Sequence, residues 1–161
     1  MVQLCVGKGL RVLHSSALDH LRSLEDESLD GIFMGHLVEH LPLSDLLKLL
    51  SLCHRKLKEG SYLVFETPNT QSLFVLSQTF YRDPTHRQPI HPESYKFMVS
   101  SQGFRHVELQ YSNPVPPEIR PTIPDPGDGD EASSLTATLI ALSDGIENLS
   151  EAIYGYQNVA V

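Results

Sequence analysis

Leu29-Asp30-Gly31-Ile32-Phe33-Met34, followed by Gly35-His36-Leu37-Val38-Glu39-His40-Leu41-Pro42, decides how this chain is read. The first six residues are almost wholly apolar. Such a run suits a central strand of a parallel sheet, covered on both faces. Pro42 then opens a helix through Lys58, where a proline is well placed in the first turn. Leu46, Leu47, Leu49, Leu50, Cys53 and Leu57 form its apolar stripe. Ser44 and Asp45 put negative character at its start; His54, Arg55, Lys56 and Lys58 put positive charge at its end. Gly60 stops it, and Tyr62-Leu63-Val64-Phe65-Glu66 is the next strand, ended by Thr67-Pro68-Asn69.

The flanks extend this alternation. Leu10-Arg11-Val12-Leu13-His14 is predicted as a strand entered through Gly7-Lys8-Gly9, and Ser16 to Leu24 as a helix on Leu18, Leu21 and Leu24. Helices are expected from about Gln71 to Phe80 and from Pro92 to Ser101. Phe104 to Tyr111 alternates apolar with polar and reads as a strand with one wet face. Residues 113–131 are rich in proline and aspartate and are expected to form a flexible loop within a single domain spanning 1–161. Ala132 to Tyr154 returns to helical spacing, and Val159-Ala160-Val161 forms a last strand. Strand and helix in this order define an α/β sheet with helices on its faces.

Composition narrows the partners. The 161 residues carry 12 Lys+Arg against 20 Asp+Glu, a net charge of -8. That balance opposes a nucleic-acid backbone or an anionic membrane as partner. No apolar run approaches the roughly 18–20 residues that span a bilayer. The start lacks the pattern of a signal peptide, and Cys5 and Cys53 have no metal or disulfide-framework spacing, so two reduced thiols and a cytoplasmic location are expected. Histidine is in surplus, with eight residues.

Taken together, Leu29 to Met34, Val38-Glu39-His40-Leu41-Pro42, the leucine-rich helix into Arg55-Lys56-Leu57-Lys58-Glu59-Gly60, and Leu63-Val64-Phe65-Glu66-Thr67-Pro68-Asn69 resemble the second half of class I S-adenosylmethionine-dependent methyltransferases. They fall in that family's order of fourth strand, loop, crossover helix and fifth strand. Asp83-Pro84-Thr85-His86, His91-Pro92-Glu93 and Gly103-Phe104, with the terminal Tyr154 to Val161, are similar to a subset found in bacterial glycan and polysaccharide biosynthesis clusters. The resemblance implies a Rossmann-like sheet with helices on both faces and a C-terminal antiparallel strand. It implies S-adenosylmethionine as cofactor and a hydroxyl or amine of a small molecule or saccharide as methyl acceptor.

Two departures stand out. The family's glycine-rich turn and its ribose-binding acidic residue, which act by the same physics as in dinucleotide sites, have no counterpart here. Met1 to Leu10 looks like the end of the family's second helix, so the sheet is expected to lack its first two strands and the chain to be a shortened form. Cofactor binding is then weak or absent. The fourth strand becomes an apolar edge, which either pairs with a second copy of the chain or receives Leu10 to His14 beside Ile32. In addition, Ser16 stands where the family commonly has Asp at the adenine, and accepts a hydrogen bond without charge.

The resemblance assigns Ser16, Ala17, Met34, Gly35 and His36 to the cofactor. It places Glu39, His40, His86 and His91 toward the acceptor, because ligands of α/β sheets sit at the carboxyl ends of the strands. Glu39 or His40 either takes the acceptor's proton, holds a divalent cation as in some related families, or only orients its loop. Asp83 and His86 equally suit a helix cap. No metal set is assigned. Two rival readings remain open. A methyltransferase-like fragment would act as a non-catalytic interaction module. Alternatively, His36-x-x-Glu39-His40 matches the H-x-x-E-H of inverted zincins, a zinc hydrolase reading opposed by Gly35 and Pro42, which leave under two turns of helix.

Overall fold

The computed structural model describes residues 2–120 and 134–161. Five helices and four strands alternate among them. They are α1 (Val2–Gly7), α2 (Ala17–Ser23), β1 (Leu29–Gly35), α3 (Leu43–Lys56), β2 (Leu57–Pro68), α4 (Pro92–Ser101), β3 (Gln110–Pro114), α5 (Ser134–Ile153) and β4 (Tyr156–Ala160). The sheet order is β1-β2-β4-β3. This is the fourth, fifth, seventh and sixth strand order that the resemblance implies.

β1 and β2 run parallel, with Ile32 opposite Leu63, Met34 opposite Phe65 and Gly35 opposite Glu66. The register shifts between Leu29 and Gly31, where β2 bulges. Gly60 turns that bulge with a φ of 78°, which a Cβ would strain. β4 lies antiparallel to β2, with Thr67 opposite Val159, and β3 pairs antiparallel with the other side of β4.

Binary patterning explains which face is dry. Met34, Phe65 and, across the ladder, Thr67 and Val159 are buried. Leu46, Leu49, Leu50 and Cys53 of α3, Leu21 of α2 and Tyr95, Met98 and Val99 of α4 close one core over Met34 and Phe65. Burial pushes the Cys53 thiol up to about 12, so it stays protonated and acts as a small apolar group. On the opposite side of the same strands Phe33 and Tyr62 are 68% and 78% exposed.

Helix ends follow the capping rules. Ser16 caps α2 by accepting from the amide of Asp19 at 3.1 Å, and His91 caps α4 through Nδ1, which accepts from the amide of Glu93 at 3.2 Å. Buried Lys56 ends α3 by donating to the carbonyl of Leu24 and to Asp26, both at 2.6 Å. These bonds tie the α2–β1 turn to the helix.

Several expectations change. Leu10–His14 forms no strand. Nothing pairs with its amides and carbonyls as a ladder, Leu10 and Leu13 are exposed, and the Leu10 amide instead closes α1 on the carbonyl of Cys5. The chain therefore does not place this segment beside Ile32, and β1 is an edge strand among the described residues. The sixth strand is Gln110–Pro114 rather than Phe104–Tyr111. His106 adopts a left-handed φ of 56°, which breaks the earlier run, and the register is set by β4. Pro114 ends this strand, so the first two residues of the expected 113–131 loop are sheet. Of that loop, 121–131 lie outside the described residues. The expected helix from Gln71 becomes a π-helical turn, Val75–Thr79, running into a 3-10 turn, Phe80–Arg82.

Candidate active site

β1 ends at Gly35, and the chain leaves it through His36, whose φ of 49° is left-handed. The His36 amide donates to the carbonyl of Glu66 at 2.9 Å, which pins the turn to β2. One 3-10 turn, Val38–His40, follows before Pro42 starts the approach to α3. It points Glu39 inward and His40 outward. The zinc-hydrolase reading needs His36 and His40 on one face of an α-helix. That helix is not formed, and His36 Nδ1 instead lies 3.1 Å from Glu39 Oε1.

The side chain of Glu39 is fully buried. Its two oxygens are accounted for: His36 Nδ1 at Oε1, and the Thr67 hydroxyl donating to Oε2 at 3.2 Å. A buried carboxylate needs such donors to offset lost hydration. The charge also acts on its neighbour: burial first, then the nearness of Glu39, push the Tyr95 phenol up to about 12.

The loop after β2 supplies the second half. Asp83 accepts both the amide (2.8 Å) and the hydroxyl (2.6 Å) of Thr85, and these bonds hold its carboxyl below the usual aspartate range. Thr85 Oγ1 in turn lies 2.8 Å from His40 Nδ1. His86 Nδ1 meets the carbonyl of Phe80 at 2.6 Å, and its ring lies 4.6 Å from the ring of Phe80 and 4.7 Å from that of His40. The amide of Arg87 donates to the carbonyl of Glu39 at 2.9 Å, clasping the two loops together.

Two cavities flank the turn from Leu37 to His40. One, of about 810 Å³, is lined by His40, Pro84, Thr85, His86 and Arg87. The other, of about 530 Å³, runs along β1 and is lined by residues that include Ala17, His20, Leu21, Met34, Gly35, His36 and Leu37. Both are in the size range of small-molecule sites.

The structure thus gathers Glu39, His40 and His86, and it collects Ala17, Met34, Gly35 and His36 around the second cavity. It leaves two candidates apart. His91 sits at the cap of α4. The Ser16 hydroxyl is spent within α2, donating to Asp19 Oδ2 at 2.7 Å, and Ser16 does not line the cavity. Glu66 has the bland role of a strand-end acceptor, taking the Asn158 amide at 2.7 Å. Thr67 and Thr85 are the residues sequence reasoning missed. Thr67 had one available signal, its alternation with Phe65 onto the dry face.

Comparison with known proteins agrees with this fold. The family described as "Methyltransferase domain" matches residues 2–65. A SAM-dependent methyltransferase from Archaeoglobus fulgidus superposes with a TM-score of 0.88 at 38% identity, over 99% of this chain and 69% of that one. A Bacillus subtilis protein, YcgJ, gives 0.55 at 16% identity over 99% and 73%. A phosphoethanolamine N-methyltransferase from Haemonchus contortus, crystallised with S-adenosylmethionine, gives 0.51 at 17% identity over 90% and 35%. The last two show the fold alone. No curated protein matches. The fold is that of a Rossmann-like α/β protein, with one cavity along β1 and another at the loops that follow β1 and β2. The chain belongs to the class I S-adenosylmethionine-dependent methyltransferase family.

Proposed function

We propose that the chain binds S-adenosylmethionine along β1 and directs its methyl group to a hydroxyl or amine of a small acceptor, with a saccharide hydroxyl the first candidate. The observation behind this reading is the pair of cavities meeting at the Leu37–His40 turn, one largely apolar and one edged by two imidazoles. When bound, the cofactor supplies an electrophilic methyl on a sulfonium. Ala17, Leu21, Met34 and Leu37 present an apolar wall suited to the face of a purine, and the backbone of Gly35 and His36 borders the methionine end. None of the lining residues is a carboxylate, so ribose hydroxyls find no acidic partner there. Affinity is therefore low.

On the acceptor side, positioning supplies most of the rate, and His40 or His86 receives the acceptor's proton. The proton on each Nδ1 is directed at a protein acceptor, which leaves Nε2 basic. A cytoplasmic location fits the two unpaired thiols. Among the described residues no helix is long and apolar enough to cross a membrane.

Calorimetry tests the binding step. Micromolar S-adenosylmethionine binding is expected, and Ala17→Phe, which fills the cavity, should abolish it. Absence of binding by the unmodified chain would instead favour a non-catalytic interaction module.

The open edge of β1 supports a second reading, pairing of two copies through β1, which would compete with the cofactor because Gly31, Ile32 and Phe33 line the same cavity. Sedimentation velocity should show a concentration-dependent dimer that Phe33→Lys or Ile32→Pro weakens. A monomer at all concentrations would remove it.

A further inference from the structure

One ligating atom from each of Glu39, His40 and His86 lies within 4.8 Å of the others. The surrounding hydrogen bonds decide which atoms are on offer. Ionised Asp83 can only accept, so the single Thr85 hydroxyl proton goes to it at 2.6 Å. The hydroxyl oxygen must then receive a proton from His40 Nδ1. The Phe80 carbonyl likewise only accepts, so His86 Nδ1 carries its ring proton. A neutral imidazole has one N–H. Both Nε2 atoms are therefore left with a lone pair.

This is how metal-ligating histidines are held, with the far ring N–H donated to a fixed carbonyl or polar partner. Glu39 completes the set. It is anchored by Thr67 and His36, and each of its oxygens keeps a second lone pair. One ring nitrogen of each histidine and one Glu39 oxygen, at most 4.8 Å apart, lie within about 2.8 Å of a common centre. Movements of about 0.7 Å each bring them to the ~2.1 Å of metal–nitrogen and metal–oxygen bonds. The open side faces the 810 Å³ cavity, where water or an acceptor oxygen has room.

We propose that Glu39, His40 and His86 form a binding site for one divalent first-row transition cation of the Zn²⁺ or Co²⁺ type. Two imidazoles and one carboxylate favour such ions over Mg²⁺ and Ca²⁺, which prefer all-oxygen sets. His36 is not a ligand; it steadies Glu39. The site also differs from the H-x-x-E-H reading, because its second histidine comes from the loop after β2.

The site stands on its own geometry and is tested without methyl transfer. Co²⁺ is titrated into the tag-free, chelator-treated chain and followed by visible d–d absorption and calorimetry. One equivalent is expected, with Mg²⁺ failing to compete. His40→Ala and His86→Ala should each weaken binding by about 10–100-fold or more, while His14→Ala, at an exposed position, leaves it unchanged. Long-range ¹H–¹⁵N spectra of the unmodified chain provide a readout that needs no variant. Zn²⁺ should shift Nε2 of both rings and leave the Nδ1 protons in place. With the cation bound both Nε2 lone pairs are occupied, so His40 or His86 serves as the acceptor's base only in the metal-free chain. The proposal is overturned if the wild-type chain takes up no cobalt at millimolar concentration. It is also overturned if the His40→Ala/His86→Ala double variant, native by near-ultraviolet dichroism, binds as wild type, or if loss follows His36→Ala and not His86→Ala.

Discussion

Phe65→Ala is expected to lower the stability of this protein by about 3–5 kcal/mol, the range for emptying a fully buried aromatic site. Phe65 is inaccessible to solvent at the middle of β2. Its N–H and C=O both bond to Val161, at 3.0 Å each, and on the other side it stands in register with Met34 of β1. Its ring meets Tyr95 edge-on at 5.3 Å, and that ring is itself fully buried. Ladder bonds on either side prevent the strand from collapsing into the void. A domain of this size has a net stability of roughly 5–15 kcal/mol, so the variant should sit near its unfolding midpoint in mild denaturant. Urea melts followed by far-ultraviolet dichroism measure it. A loss below about 1 kcal/mol would mean that α4 does not close the core as described.

His40→Ala should have the largest effect on chemistry. With S-adenosylmethionine and an accepted saccharide or amine, kcat is expected to fall about 10²–10⁴-fold, the range for removing a proton-transferring side chain. His40 is half-buried and lines the 810 Å³ cavity, and its backbone amide closes the turn on the carbonyl of Leu37 at 3.1 Å. That bond survives the substitution, so the fold should be kept and KM for the cofactor should change little. Single-turnover rates of a second variant separate this from a positioning role. If His40 acts only through the loop, Thr85→Val would reproduce the whole loss. If it accepts the proton, Thr85→Val, which keeps the imidazole, should retain part of the rate.

The sequence was most informative where periodicity and punctuation agreed. β1 is legible from its apolar run, α3 from its leucine stripe, the preceding Pro42 and the basic residues of its last turn, and α4 from the proline at its start and Gly103 beyond its end. α4 occupies Pro92–Ser101 as expected. Leu10–His14 shows the limit of such reading. Its pattern is that of a strand, but a strand exists only with a partner to receive its hydrogen bonds, and pattern carries no information about the partner. The sixth strand was displaced for a related reason: its register is dictated by β4, near the other end of the chain. In the site, Glu39, His40 and His86 were marked by residue type and by place at the strand ends. Thr67 and Thr85 were not, since a threonine acquires meaning only from what it touches, and Thr85 reaches His40 across 45 residues. His91 shows the converse, a suggestive residue whose ring is occupied by an ordinary helix cap.

The placement of β2 between an early and a late partner also orders events during synthesis. Contacts that close short loops form faster than those that close long ones. Glu39 meets Thr67 across 28 residues, whereas Asn158 reaches Glu66 across 92. The buried carboxylate can therefore be in place while the growing chain still lacks β4. Until β4 emerges, the far side of β2 is an unprotected edge exposing Phe65 and Thr67. During that interval the chain on the ribosome carries a second open edge, on β2, in addition to the one that β1 keeps in the finished fold.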